Sequence, residues 1–583
     1  MADVSWLSAA ESASFFGHDS HHVPVNLNRL KNARVLWLNQ KAVTSDPHFD
    51  RVGQSMSRYE QHILSACAHA ILTDSDTGEM FDDDVTVGYA DRYGGSGIGL
   101  NGGSGRAAVV NGYLVKGVGR TPLVSSLTDE SHASGGAYLE ESIRETIFAE
   151  IVRAEFPCSA IPVLAIIDTG LIQIFEESAG PKMERRTLLI RPSFIRPAHF
   201  ERATAYFSGN PKEGQQDTLR VSQFFTQAIA TFGQQELTRQ YKSLWLNWAQ
   251  QLAYSFVHRL PHGSNTISNI CLDGKLLDFG AMSAVPSWAN AATMLSRQTF
   301  GMQFNVLPRM IRLTGYFFSR YLNVQIGSEE STADLTAAVQ SEYRRTILVE
   351  TLRLCGVLRD DAEAAANGPD FSLLWQSIVI VIEYFQKERI DLVERTPVVN
   401  LQWDLHAVWK KEPPVHLGAL QILLKSLVSL DDQAVAAKRC CLLSATRENL
   451  FREEAKCDIF STLDGSHRGE EPNMNQIEQF INEQVVEGRR DHQFAVHDAA
   501  PIGFAINIAA SYVLFKEKNS DKIFGITESD LINRNANKNS GIKVNSVKRL
   551  AIQHFSATSL QFQDRNTPPF KGAVKIYCDK YPT

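Results

Sequence analysis

The stretch "NTISNICLDGKLLDFG", Asn265 to Gly280, decides how the chain is read. It ends in Asp278-Phe279-Gly280 after a short apolar run, and Asn269 stands nine residues ahead of Asp278. The pattern reads as a loop, a short strand and a second loop. An amide oxygen and a carboxylate are the donors that a hard cation such as Mg²⁺ prefers. Asn269 and Asp278 are therefore the candidate metal ligands.

Working outward, the residues before this stretch change character twice. Residues 1 to about 80 read as helical, with apolar residues at helical spacing in "SRYEQHILSACAHAILT". From Asp84 the chain becomes glycine-dense, with β-prone runs at "AAVV" and "YLVKGV". That pattern predicts strand, Gly-rich loop, strand, turn and strand. "AYLEESIRETIFAEIVRAEF" is a helix with Ile143, Ile147, Phe148 and Ile151 on one face, and "AIPVLAIIDTG" and "RRTLLIRPSFIRPAHF" read as strands. From about 220 onward helices dominate. "RQYKSLWLNWAQQLAYSFVHRL" is a long amphipathic one, and others are expected at 290–325, 333–357, 370–396 and 417–440. "PIGFAINIAASYVLF" is too short to span a membrane and reads as a buried helix.

Composition bounds the function. The chain has 583 residues, 44% hydrophobic and 21% charged, the balance of a water-soluble globular protein with a large core. A formal charge of −7 gives no electrostatic reason to expect nucleic acid. No window of eighteen apolar residues exists, and "MADVSWLSAAESASFFGHDSHH" lacks the basic start of a secretory signal, so neither a membrane nor export is expected. Eight scattered cysteines without a Cys-x-x-Cys pair read as small buried hydrophobes in a reducing compartment, and the expected location is cytoplasmic.

The order of candidate groups carries the chemistry. A strand and Gly-rich loop precede Lys116 in "YLVKGVG". Glu145 follows on the "SIRETIF" helix, and Asn269 and Asp278 come later in the helical half. Glycines let backbone N–H groups approach phosphates, a lysine neutralises phosphate oxygens, and a helical glutamate fixes that lysine. This is the order of a protein-kinase ATP site. Singly each part has a plain structural reading: a turn, a solvated lysine, a surface glutamate, a chance tripeptide. The Asn-to-Asp spacing is shorter than in ordinary kinases, and the His-Arg-Asp that supplies their base is missing.

Four motifs in order, "LVKGVGRTP", "SIRE", "RPSFIRPAHFE" and "HGSNTISNICLDGKLLDFG", resemble the selenoprotein O family over about 85–290. Its pattern reads Lys-Gly-Ala-Gly-x-Thr-Pro, then Ser-Ile-Arg-Glu, then Ala-Pro-Ser-His-x-Arg-x-Gly-His-Phe-Glu, then His-Gly-x-x-Asn-Thr-Asp-Asn-Met and Asp-Tyr-Gly. The resemblance implies an α+β, kinase-like fold of two lobes. A small β-rich N-lobe (84–215) would carry the Gly-rich loop, Lys116 and Glu145. A larger helical C-lobe (216–449) would carry Asn269 and Asp278. A helical extension (1–83) and a C-terminal region (450–583), possibly appended, would complete the chain. It implies ATP bound in a flipped orientation with Mg²⁺ or Mn²⁺, and AMP transfer to a protein or peptide. Lys116 and Glu145 match the nucleotide-anchoring pair, Asn269 and Asp278 the metal ligands, and Arg196 an arginine that reaches the phosphates. Gly103, Gly105 and Arg106 match the Gly-Asp-Gly-Arg-Ala turn, with Ser104 in place of its Asp. A second phosphate arginine falls on Leu189, and Arg191, two residues on and on the same strand face, is its substitute.

The departures matter as much. The family places an Asp, the expected base, just before the metal-binding Asn; here Ser268 stands there. The Asp-Gly-Arg expected ahead of "SIRE" reads Ser134-Gly135-Gly136, in a longer loop where Asp129 or Glu130 could compensate. The family's C-terminal redox cysteine motif is absent, and Cys578 stands alone. Three readings stay open: AMP transfer to a hydroxyl, an ATP-binding pseudoenzyme acting as partner subunit of a modification complex, and acyl-adenylate formation on a carboxylate. A carboxylate is already ionised at neutral pH and needs no base. His262 is expected to hold its loop by hydrogen bonds, and neither His258 nor His492 is expected to be catalytic.

Overall fold

The computed structural model describes residues 3–17, 22–72, 78–94, 102–124, 133–177, 180–203, 211–292, 297–391, 400–463 and 471–490. It also describes the backbone of strands at 502–509, 512–517, 523–527, 552–556 and 559–562. The chain is a mixed α+β protein built on one large antiparallel sheet. The strands are β1 (Val23–Leu30), β2 (Arg34–Leu38), β3 (His69–Ala70), β4 (Phe81–Ala90), β5 (Ala107–Val110), β6 (Tyr113–Lys116), β7 (Ala137–Tyr138), β8 (Ala165–Glu177) and β9 (Gly180–Pro192). Their order is β2-β8-β9-β6-β5-β4-β1-β3, with β7 also on β9.

The centre of this sheet is the hairpin β5–β6. Asn111 and Gly112 turn it with φ of 48° and 89°, the positive-φ pair that suits the twist of a tight hairpin. Side chains alternate across the sheet. Val109, Leu114 and Leu189 face the helix Leu139–Glu155, packing with Ile143, Ile147 and Phe148. Val110, Tyr113, Val115 and Ile190 face the other way, onto Tyr59 and Ile63 of the helix Met56–Cys67. The Leu139–Glu155 helix forms where expected. It is covered on most sides, because Ser142, Arg144, Glu145 and Thr146 are buried along with its isoleucines.

The remainder is mainly helical: Pro211–Phe232, Gln234–Val257, Leu307–Leu322, Glu329–Leu354, Phe371–Phe385, Val415–Leu427, Leu430–Leu443, Arg452–Leu463 and Met474–Gly488. Trp245 and Trp248 of Gln234–Val257 lie in the core. The helix expected at 333–357 is Glu329–Leu354, starting four residues earlier and ending three residues sooner. No helix among the described residues is long and apolar enough to cross a membrane.

Several expectations are corrected. The first 83 residues hold β1, β2, β3 and the start of β4, not helices alone. In "VPVNLNRL", Val25 and Leu27 are buried between exposed neighbours, a period of two that marks a strand. The segment expected to be helical from 290 opens as a strand, Asn290–Ala292, paired with Arg297–Gln298 and Arg389–Asp391. The helix expected to 396 therefore stops at Phe385. Extended backbone at Val428, φ −110° and ψ 125°, divides 417–440 between two helices. "PIGFAINIAASYVLF" forms the paired strands Ile502–Ala509 and Tyr512–Glu517. Periodicity alone does not separate a short apolar strand from a buried helix; β-branched and aromatic residues decide here. Among the described residues the cysteines are free, and Cys67, Cys271, Cys355 and Cys440 are buried.

Candidate functional site

Lys116 is the last residue of β6, in register with Leu189 of β9 and on the face that the Leu139–Glu155 helix covers. Its ammonium donates to Glu145 Oε2 at 2.6 Å and to Asp278 Oδ1 at 3.2 Å. Glu145 has no side-chain exposure and Lys116 only 8%. Such a pair is tolerable only with near-complete hydrogen bonding. Arg191 supplies the rest, donating to Glu145 Oε1. The substitute phosphate arginine is therefore a second anchor for Glu145. Burial and Arg106 work against the charge on Lys116, but Asp278, Glu141 and Glu145 outweigh them and its pKa rises.

Glu141 was not singled out by the sequence reading. It lies one turn before Glu145, and the four-residue spacing puts both carboxylates on one helix face. Arg106 grips it with two hydrogen bonds, Nη2 to Oε1 at 2.7 Å and Nη1 to Oε2 at 3.0 Å. Lys116 Nζ is 3.1 Å from Oε1. Burial opposes its charge, yet the Arg106 and Lys116 cations hold the carboxyl well below the usual range. Arg106 also donates to the Gly136 carbonyl at 3.2 Å. Gly103 and Gly105 shape the turn before it by close packing. A Cβ on Gly103 would stand 2.5 Å from the Asp91 carbonyl, and one on Gly105 2.6 Å from Val124.

Asn269 and Asp278 flank a tight turn closed by the bridge between Ile270 and Leu276. Asn269 donates through its amide nitrogen to Ser264, 3.1 Å to the carbonyl and 2.8 Å to the hydroxyl. That leaves the amide oxygen as the donor atom for a cation. Asp278 has φ of 61°, a left-handed backbone that costs a non-glycine residue about 1–3 kcal/mol and that collects at functional sites. Its side chain is 44% exposed. Burial opposes ionisation there, but Lys116, Arg106 and Arg191 keep the carboxyl below its ordinary value. The space beside Gly280 is shared by Glu141 Oε1 and Asp278 Oδ1, 3.6 and 3.9 Å from where a Cβ would sit.

Ser268 is half-buried, and its hydroxyl pairs with that of Thr266 at 2.7 Å. Its carbonyl accepts from Arg196 Nη1 at 2.5 Å. Arg196 also donates to Asp91 Oδ2 at 2.6 Å, between the rings of Tyr93 and Phe194. Asp91 holds His199 Nε2 at 2.9 Å, while His199 Nδ1 accepts from the Arg196 backbone. His199 is thus the neutral Nε2–H tautomer, its pKa lowered by burial. In this arrangement Arg196 ties the Ser268 loop to the end of β4. No motif pointed to Asp91. His262 holds its loop as expected, to the Leu277 carbonyl at 3.0 Å. His258 pairs with Glu350 at 3.0 Å. Asp129, Glu130, His492 and Cys578 lie outside the described residues.

The structure thus brings Lys116, Glu145, Arg191 and Asp278 together, joined by Glu141 and Arg106. Among the described residues, no group of three or more His, Cys, Asp or Glu side chains converges on a metal position. A Mg²⁺ ion would fit only as a shared one, with Asn269 and Asp278 supplying two oxygens and phosphates and water the rest. No family model and no curated protein matches the chain.

Proposed function

We propose that the chain is a kinase-like nucleotidyltransferase of the selenoprotein O kind, which binds ATP and transfers AMP to a protein or peptide acceptor. The observation that carries the reading is Lys116. It bonds at once to Glu145 on the covering helix and to Asp278 beyond the Asn269 turn, bridging the sheet-bearing and helical halves. In this reading those halves are the two lobes of a kinase-like fold. Lys116, fixed by Glu145 and Arg191, neutralises phosphate charge in a buried setting where a cation acts strongly. Arg106 is the second phosphate cation once released from Glu141. Asn269 and Asp278 hold Mg²⁺ or Mn²⁺, which supplies charge neutralisation when bound. The acceptor oxygen attacks the α-phosphorus, the bond from that phosphorus to the α,β-bridging oxygen breaks, and pyrophosphate leaves with the oxygen; a hydroxyl acceptor gives its proton to water, and a carboxylate has none to lose.

Ser268 selects among acceptors. A general base contributes about 10²–10⁴-fold, and a hydroxyl paired with Thr266 supplies none near neutral pH. A carboxylate acceptor, ionised already, fits the site without one and yields an acyl-adenylate for ester or amide formation. The test is the fate of ATP labelled separately at the α and γ positions, with Mg²⁺ or Mn²⁺ and cell lysate. Transfer of the α label with pyrophosphate release supports the reading, and its lability to hydroxylamine marks a carboxylate. Transfer of the γ label overturns it. ATP binding without transfer leaves the pseudoenzyme role as a partner subunit.

A further inference from the structure

Residues 447–463 and 471–490 touch both the helix that carries Glu145 and the chain that follows Asp278. Glu155, at the far end of the helix that carries Glu141 and Glu145, has no side-chain exposure. It receives four hydrogen bonds. Arg447 donates from Nη1 to Oε2 at 2.9 Å and from Nη2 to Oε1 at 2.6 Å. The Arg490 backbone N–H donates at 2.9 Å and the Tyr254 hydroxyl at 3.0 Å. Arg447 also caps the Met474–Gly488 helix through the Gly488 carbonyl at 2.9 Å. Gly488 packs closely on the same site helix: a Cβ there would stand 2.6 Å from Ile151 Cδ1.

The same residues reach the chain just after Asp278. Ala284 N–H donates to the Leu450 carbonyl at 2.9 Å, and Arg452 N–H to Ser283 Oγ at 3.0 Å. Arg144, beside Glu145, donates to the Gly280 carbonyl at 2.6 Å. Ile477, Ile481 and Val485 of Met474–Gly488 join Ile147 and Ile151 in one core. A helix is stiff over this distance: ten residues from Glu145 to Glu155 span about 15 Å. A change of tilt at Glu155 therefore moves both carboxylates.

We propose that Arg447, acting through Glu155, is a positioning residue for this reaction, and that residues 447–463 and 471–490 are a built-in clamp on the site. The proposal rests on reading Lys116, Glu145 and Asp278 as the nucleotide site. Two buried charges bridged by two hydrogen bonds set a register that apolar packing alone would leave free to slide.

The experiment compares full-length wild type with Arg447→Met, Arg447→Lys and a remote core control, Leu424→Ala, by amide hydrogen exchange and by transfer of α-labelled phosphate. Arg447→Met is expected to speed exchange selectively over 139–155 and to slow transfer about 10- to 100-fold, the cost of slight misplacement, with little change in the KM for ATP. Arg447→Lys recovers part of both. Leu424→Ala lowers the melting temperature but leaves the exchange of 139–155 and the transfer rate near wild type. Unchanged exchange over 139–155 in folded Arg447→Met, or equal loss of transfer in Leu424→Ala, overturns the proposal. If wild type moves no label, the AMP-transfer reading fails, and the exchange comparison still decides whether Arg447 sets the helix.

Discussion

Glu141 closes on Arg106 through two hydrogen bonds of 2.7 and 3.0 Å, so the arginine proposed as a second phosphate cation is held by a carboxylate of the Leu139–Glu155 helix. On the proposed reading, a nucleotide phosphate would compete with Glu141 for the same fork. Glu141→Gln removes the charge but keeps the shape. We expect it to tighten Mg-ATP binding several-fold, read by isothermal titration, the scale of one charge-assisted pair in a partly wet site. Weaker binding in this variant would show Glu141 to be a ligand rather than a competitor.

Lys116 and Arg191 share Glu145, so their removal is not additive. Breaking a buried pair by deleting one partner costs about 3–5 kcal/mol when the other charge is left alone. Glu145 keeps Arg191 after Lys116→Met, so the expected loss is less, about 1–3 kcal/mol by urea unfolding. The double variant with Arg191→Met should lose more than the sum of the single losses. A simple sum would mean that the two cations do not share one carboxylate in solution.

The stability of the fold depends on pH through buried histidines as well as carboxylates. Burial pushes the His22 pKa down to about 3, so it stays neutral in the folded chain. The unfolded chain binds its proton near pH 6.5. Stability contributed by neutral His22 is therefore full above pH 6.5 and drains away as pH falls from there toward 3, by up to about 1.4 kcal/mol per unit. The depressed carboxylates Glu141 and Asp278 have the same sign but act lower. Their contribution is present above the unfolded value near 4 and is lost only below it. His22 packs among Phe16, Phe224 and His199, so His22→Phe should flatten the slope between pH 6.5 and 4.5 in urea titrations. An unchanged slope would assign acid sensitivity to other groups.

Ser268 distinguishes the acceptor classes. It is half-buried and held to Thr266, and Arg196 fixes its carbonyl, so an Asp there would sit on an anchored loop. If the natural acceptor is a hydroxyl, Ser268→Asp should raise the transfer rate by up to about 10²–10⁴-fold. If the acceptor is a carboxylate, like-charge repulsion should lower it. The readout is α-label transfer to hydroxyl and carboxyl peptides in parallel.

How far the sequence could be read depended on where each residue finds its partner. The β5–β6 hairpin was legible because its turn signal, Asn111-Gly112, is local. Lys116, Glu145 and Asp278 were legible only as an ordered set: Lys116 meets Glu145 from 29 residues away and Asp278 from 162. Glu141 looked like any carboxylate in the first turn of a helix until the hairpin brought Arg106 to it. Asp91 meets Arg196 across 105 residues and belongs to no motif. Arg191 takes its expected role from the family resemblance and a shared strand face with Leu189, neither of which shows that it serves Glu145. The strands in the first 83 residues do not follow from the helical period of "SRYEQHILSACAHAILT", because that period is local and its neighbours at Val23–Leu30 alternate with a period of two.

The most direct measurement of the central claim is equilibrium binding of a Mg-bound, non-hydrolysable ATP analogue to wild type, Lys116→Met and Asp278→Asn, each shown to be folded by circular dichroism. The account predicts saturable binding to wild type that is lost with Lys116→Met and becomes independent of Mg²⁺ with Asp278→Asn. Binding of equal strength in all three proteins, or none in wild type, would contradict it.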